Sequence, residues 1–220
     1  LVALTTLTIC MPAASDIYVD TYTVGGTLVQ VGSGTTGQTT NDVSILGGSR
    51  DTTLTVPNLG GAELFGLIGF GSGVQLAQGN NDQINGSFVY DNFGTIDFTE
   101  AGLNTNFVLS VVSTNRVVSI DNAFWITVRS GGSSSTATVD IPASGDTPGD
   151  VHVNFSEFAG VDLTAVDSIE LGFDFFGNPG AEVTFQSLFA ANSIPEPAVV
   201  KLLAGFAILA ITRRRRRSQH

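Results

Sequence analysis

FWITV, residues 124–128, predicts the fold of this chain. Its first, third and fifth side chains are large and apolar, and they alternate with Trp125 and Thr127. Successive side chains of a β-strand point to opposite faces, so this pattern predicts a strand with one face in a hydrophobic core. Trp125 falls on the other face, where it is either exposed or covered by a neighbouring element.

Similar short runs rich in Val, Ile, Thr and Phe recur along the chain, separated by Gly, Asn, Ser and Asp. These compositions are typical of strands and turns, respectively. The predicted strands are 17–22, 27–31, 52–56, 63–70, 87–91, 95–98, 107–112, 116–120, 124–129, 137–141, 151–155, 168–173 and 182–189. Their close spacing predicts an all-β, two-sheet β-sandwich, with residues 131–135 as a long hairpin tip.

The segment from Asp16 to Glu182 is strongly acidic. Arg50, Arg116 and Arg129 face nineteen carboxylates there, which leaves a net charge of −16. Nucleic acid and anionic lipid are therefore disfavoured as partners, and an anionic polysaccharide would need bridging cations. The segment contains no cysteine, so the core must stabilise the domain without disulfides.

The C-terminal end has three parts in a fixed order. Pro195, Glu196 and Pro197 form an extended linker, and the mostly apolar residues 198–212 follow. A helix of that length spans about 22 Å, a short membrane anchor. Five arginines come next: Arg213, Arg214, Arg215, Arg216 and Arg217. The positive-inside bias would hold them in the cytoplasm and place the body on the other side of the membrane.

This arrangement resembles the PEP-CTERM sorting signal of exported proteins from Gram-negative bacteria that make extracellular polysaccharide. The resemblance implies that exosortase, a membrane enzyme, recognises an inner-membrane-anchored precursor and passes its body to the cell surface or extracellular matrix. It divides the chain into residues 1–15, read as a truncated signal peptide, an ectodomain over 16–192 and the sorting signal over 193–217.

Two internal segments carry further resemblances. VHVNF at 151–155, Phe158, residues 162–171 and AEVTF at 181–185 look like the closing strands of galactose-binding-like jelly rolls, an architecture shared by many carbohydrate-binding modules. LGGSRD, residues 46–51, resembles a segment found early in proteins that carry PEP-CTERM tails. Its glycines predict a turn, and its arginine is expected to pair with an acid.

Catalytic chemistry is poorly supported. His152 is the one histidine between the two terminal segments, and its alternation with two valines predicts an exposed side chain rather than a catalytic base. A glycoside hydrolase would need only two carboxylates across a cleft. The available glutamates, better explained as isolated surface acids, are Glu63, Glu100, Glu157, Glu170 and Glu182.

Calcium is the metal that the sequence favours, because it prefers hard oxygen ligands. Two loops offer such ligands without matching an EF-hand: one contains Asn80, Asn81, Asp82 and Asn85, and the other Asp140, Asp146 and Asp150. Asn-rich turns also commonly bind their own backbone, so neither loop is decisive.

Two functions remain open. The favoured hypothesis is a non-catalytic surface or matrix protein, sorted by its tail and associated with exopolysaccharide or biofilm. The alternative is a carbohydrate-binding module or glycosidase-like sandwich with a defined sugar ligand. Trp125 is its candidate sugar platform, since aromatic rings present flat apolar faces.

Overall fold

The computed structural model describes residues 15–24, 28–30, 33–57, 65–70, 73–79, 83–115, 123–143, 145–175 and 178–192. Apart from Ser15, the predicted signal peptide lies outside these ranges, as do the sorting signal and the anchor at 198–212. No helix within the described ranges has the length and apolar character needed to cross a membrane.

The described chain forms two antiparallel sheets, which confirms the predicted all-β sandwich. Its strands are β1 (Ile17–Asp20), β2 (Leu28–Gln30), β3 (Gly34–Asn41), β4 (Ser49–Val56), β5 (Phe65–Phe70), β6 (Gly73–Ala77), β7 (Asn85–Tyr90), β8 (Asn106–Asn115), β9 (Phe124–Ser130), β10 (Ser133–Thr138), β11 (Asp150–Asn154), β12 (Ser168–Asp174) and β13 (Glu182–Ala191). The six-stranded sheet has the order β10-β9-β12-β7-β4-β3, and the seven-stranded sheet has the order β11-β8-β13-β6-β5-β2 with β1 also paired to β13.

Several sequence predictions need correction. The predicted hairpin tip at 131–135 is a tight turn, because Ser133 already pairs with Ser130 as β10 begins. The predicted strand 95–98 is reduced to one bridge between Ile96 and Val166. The prediction missed β3 and β6, and the predicted strand 116–120 lies outside the described residues.

Aromatic side chains fill the space between the sheets. Phe88 on β7 and Phe185 on β13 meet edge to face with ring centroids 5.9 Å apart, so these rings join the two sheets directly. Phe124 and Phe173 pack in the same core and are fully buried. Such contacts add to the hydrophobic gain of burying each ring.

A buried ion pair also crosses the core. Arg50 on β4 donates from Nη1 to Oδ2 of Asp20 on β1 at 2.5 Å, and both side chains are 1% exposed. The guanidinium carbon lies 5.3 Å from the ring centroid of Tyr22 and 5.4 Å from that of Phe88. Tyr90 donates its hydroxyl to the same carboxylate oxygen at 3.2 Å. The arginine therefore has the acidic partner that the sequence predicted.

Neighbouring protein groups, rather than solvent, stabilise the carboxylate of Asp20. Burial raises its pKa, and the charge of Arg50 and the surrounding hydrogen bonds offset this only in part. Among those bonds, the Tyr22 amide donates to Asp20 Oδ1 at 2.7 Å. Removing one member of a buried pair leaves an uncompensated charge, which is far more costly than losing a surface pair.

A glycine turn in the LGGSRD segment, residues 46–51, directs the side chain of Arg50 into the core. Gly47 has a φ of 75°, and a Cβ there would lie 2.6 Å from the backbone carbon of Asn92. Both the left-handed conformation and the close approach require glycine at this position. The next strand then starts at Ser49, which places Arg50 inward and Asp51 outward.

We expect Arg50→Met to destabilise the domain by about 3–5 kcal/mol, because Asp20 would remain buried without its cation. Urea unfolding of the full chain measures this. Arg129→Met is the matched control: Arg129 pairs with Glu170 at 2.8 Å and is 42% exposed, so its loss should cost at most about 1 kcal/mol. Equal losses in the two variants would contradict the assigned role of Arg50.

Candidate functional site

The outer face of the six-stranded sheet carries one aromatic side chain within a line of small residues. Strand register places six residues side by side across all six strands, here called the tryptophan row. They are Thr138, Trp125, Gly172, Ser87, Thr53 and Gly37. Successive side chains of a strand point to opposite faces, and each of these residues occupies a position whose side chain points away from the core.

Trp125 lies flat on the sheet. A Cβ at Gly172 would meet the indole atoms Cε2, Nε1 and Cζ2 at 2.2, 2.3 and 2.4 Å. Near-equal distances to three ring atoms mean that the ring covers the glycine backbone. The side chain is half-buried, whereas Phe124 and Ile126 on either side of it are fully buried. The alternation predicted for this strand is therefore confirmed, and the indole is on the outer face rather than in the core.

Larger polar groups border the tryptophan row. On one side, Arg129 donates to Glu170 Oε2 at 2.8 Å, and the hydroxyls of Thr127 and Thr136 lie 2.8 Å apart. Farther along the same side, Thr39 donates to Asp51 Oδ1 at 2.6 Å. The row itself has no side chain larger than threonine beyond the tryptophan. The row is consequently a shallow groove across the strands. At the end away from Trp125 it opens into a depression lined by Gly37 and Thr53.

The candidate calcium ligands are not brought together by the described residues. Asn80, Asn81 and Asp82 lie outside the described ranges, while Asn85 begins β7. In the second loop, Asp146 accepts a hydrogen bond from the Ala143 amide at 3.1 Å. No group of three or more His, Cys, Asp or Glu side chains within the described ranges is placed to hold a metal ion.

The described glutamates have separate local roles. Glu100 binds the amide and hydroxyl of Ser15 at 2.8 and 2.5 Å, and Glu157 accepts from the Asn154 amide at 3.1 Å. Glu182 accepts from the side-chain amide of Gln75. Glu170 pairs with Arg129, as described above. Glu63 lies outside the described residues.

Two exposed aspartates have carboxyl pKa values below their usual range. A hydrogen bond from the Thr99 hydroxyl lowers the pKa of Asp97, and one from Thr164 lowers that of Asp162. Among the described carboxyls with a resolved shift, Asp20 alone has a raised pKa, and it is inaccessible beside Arg50. His152 is exposed, as predicted. A general acid needs a raised pKa at an accessible position.

No protein-family model matches the sequence, and no curated protein matches it. Among solved structures, the chain is similar to the family 11 carbohydrate-binding module of a Clostridium thermocellum cellulosomal cellulase, with 11% identity, 83% of this chain and 97% of that chain covered, and a TM-score of 0.37. It is also similar to a family 30 module of another cellulosomal cellulase of Clostridium thermocellum, with 12% identity, coverage of 82% and 99%, and a TM-score of 0.40.

A third similarity is to an exo-beta-agarase, with 14% identity, 66% of this chain and 22% of that chain covered, and a TM-score of 0.36. Identities and TM-scores at this level do not assign a ligand to the chain.

We expect Gly172→Ala to lift the indole of Trp125 off the sheet, because the added methyl would occupy the ring's position. Tryptophan fluorescence should shift to longer wavelength, and iodide should quench it more strongly than in the wild type. Gly149→Ala is the control, since a Cβ there meets nothing within 4 Å. Unchanged emission in Gly172→Ala would contradict the flat placement of Trp125.

Proposed function

We propose that this β-sandwich is a non-catalytic carbohydrate-binding module that holds a polysaccharide chain along the tryptophan row. The observation that carries the proposal is the half-buried indole of Trp125, lying flat on Gly172 at one end of a line of small residues. A flat indole offers one π-face to solvent, and the CH face of a pyranose ring is the complementary apolar surface.

The length of the row suits an extended ligand. Six strands at a spacing of about 4.8 Å span about 24 Å, which is room for several sugar residues. The bordering hydroxyls and carboxylates of Thr39, Asp51 and Glu170 can bind sugar hydroxyls from one side. Small side chains along the row leave the ligand's path open. This combination of an apolar platform and a few polar groups is typical of ligand sites.

The net charge of the body limits the kind of polysaccharide that can bind. With nineteen carboxylates against three arginines between Asp16 and Glu182, the body repels polyanions. A neutral or cationic polysaccharide therefore fits the surface better than an acidic one. Binding without hydrolysis is supported by the described carboxyls with a resolved pKa shift, because the one whose pKa is raised, Asp20, is buried beside Arg50.

Export by the PEP-CTERM route is part of the same proposal. Its support is the order of the Pro195–Pro197 linker, the apolar segment and the arginine cluster. The last described strand, β13, ends at Ala191, before the sorting signal at 193–217. Cleavage within that signal would leave every described strand intact. The body would then meet polysaccharide at the cell surface or in the matrix.

We expect Trp125→Ala to weaken polysaccharide binding at least about tenfold, because truncating a central aromatic contact commonly costs about 2 kcal/mol or more. A glycan array with the full chain first identifies a ligand, and affinity electrophoresis then compares the variants. Val112→Ala is the control, since Val112 is 49% exposed on the other sheet. Full binding by Trp125→Ala would refute this site, and a wild-type chain that binds no glycan would favour a purely structural surface protein.

Intact-mass spectrometry of the protein from its native cell surface tests the sorting proposal. We expect a mass that lacks the arginine cluster, because processing removes the segment behind the linker. Cells without exosortase provide the control and should retain the uncut chain. A surface protein that still carries Arg213 to Arg217 would contradict processing.

A further inference from the structure

The outer face of the seven-stranded sheet carries a second aromatic row. Register aligns Tyr18 on β1 with Phe189 on β13, then Val108 on β8, then His152 on β11. The rings of Tyr18 and Phe189 stack with centroids 5.1 Å apart and an interplanar angle of 30°. Tyr18 is nevertheless 46% exposed. The stacked rings therefore form a fixed aromatic surface outside the hydrophobic core.

A polar row lies beside these aromatics, two residues along the strands. Asp150 on β11 aligns with Ser110 on β8, which aligns with Ser187 on β13. These residues, Gln186 and the two aromatic rings line one open depression of about 410 Å³, here called the tyrosine groove. Tyr18 and Asp150 lie three strands apart, about 14 Å at the usual strand spacing, so an oligosaccharide rather than a single sugar ring can reach both.

Asp150 gives the tyrosine groove its charge. It is exposed, and its carboxylate has no hydrogen bond or ion pair within the described part of the chain. It is the one charged side chain among the groove's lining residues. A groove with an aromatic ring at one end and a carboxylate at the other suits a basic oligosaccharide, because the ring packs against an apolar sugar face and the carboxylate attracts positive charge.

We propose that the tyrosine groove is a second saccharide site, selective for a sugar carrying a protonated amine. One sugar unit packs its apolar face against Tyr18, and the ammonium group of another unit of the same oligosaccharide binds Asp150. Ser110, Ser187 and Gln186 bind the remaining hydroxyls. The acidic body attracts such a polycation from a distance, and salt screens this attraction.

This inference extends the proposed function without depending on Trp125. The tryptophan row and the tyrosine groove lie on the outer faces of opposite sheets, so one polysaccharide can occupy either surface alone. When both are occupied, a single domain links two polysaccharide chains. That arrangement would suit a matrix protein.

Isothermal titration of the full chain with a glucosamine tetramer and its N-acetylated counterpart tests the proposal, at a pH where the amine is protonated. We expect the amine form to bind about tenfold more tightly, since acetylation removes the charge-assisted hydrogen bond to Asp150. Asp150→Asn should remove this preference, and Tyr18→Ala should weaken binding of both forms. Higher salt should weaken binding of the amine form only.

Trp125→Ala separates this site from the one above, because it should leave the amine preference unchanged. Equal binding of the two tetramers, or wild-type binding by both Asp150→Asn and Tyr18→Ala, would overturn the proposal. If Trp125→Ala alone abolished all binding, the tyrosine groove would be excluded and the proposed function would stand.

Discussion

The buried pair of Arg50 and Asp20 is the constraint on which the arrangement of both sheets depends. Arg50 belongs to β4 of the six-stranded sheet, and Asp20 belongs to β1 of the seven-stranded sheet. A guanidinium in an aromatic core cannot remain unpaired at tolerable cost, so β1 must dock on β13. The register of this pairing shifts between Tyr18 and Asp20, so Tyr18 lies outside against Phe189 although Asp20, two residues later, is buried. Pairing of β1 with β13 thus both neutralises the charge of Arg50 in the core and presents an aromatic surface outside it.

The outer faces of the two sheets are built in the same way. In each, strand alternation sends large apolar residues inward and leaves a row of polar or small residues outside. One aromatic group is then fixed by a neighbour: Gly172 supports Trp125, and Phe189 supports Tyr18. Both platforms therefore lie on strands rather than on loops. Rigid placement reduces the entropy lost when a ligand binds.

Local sequence patterns predicted most central strands except β6, and they also failed at an edge. β3 reads GTTGQTTN and contains no large apolar residue, so it carries no alternation signal, and it forms because its backbone pairs with β4. Trp125 was identified as a candidate platform because its strand alternates clearly. Phe189 and Asp150 were not linked to Tyr18, because these residues are distant in sequence and meet only through the order of strands in the sheet.

The sequence by itself determined that the body is acidic and built from short strands. Those are local properties, set by composition and by a period of two. Only the tertiary structure decided which acid faces Arg50, which glycine lies under Trp125 and which polar row borders Tyr18. Strand register and sheet order set these contacts, and both depend on pairing between segments far apart in the chain.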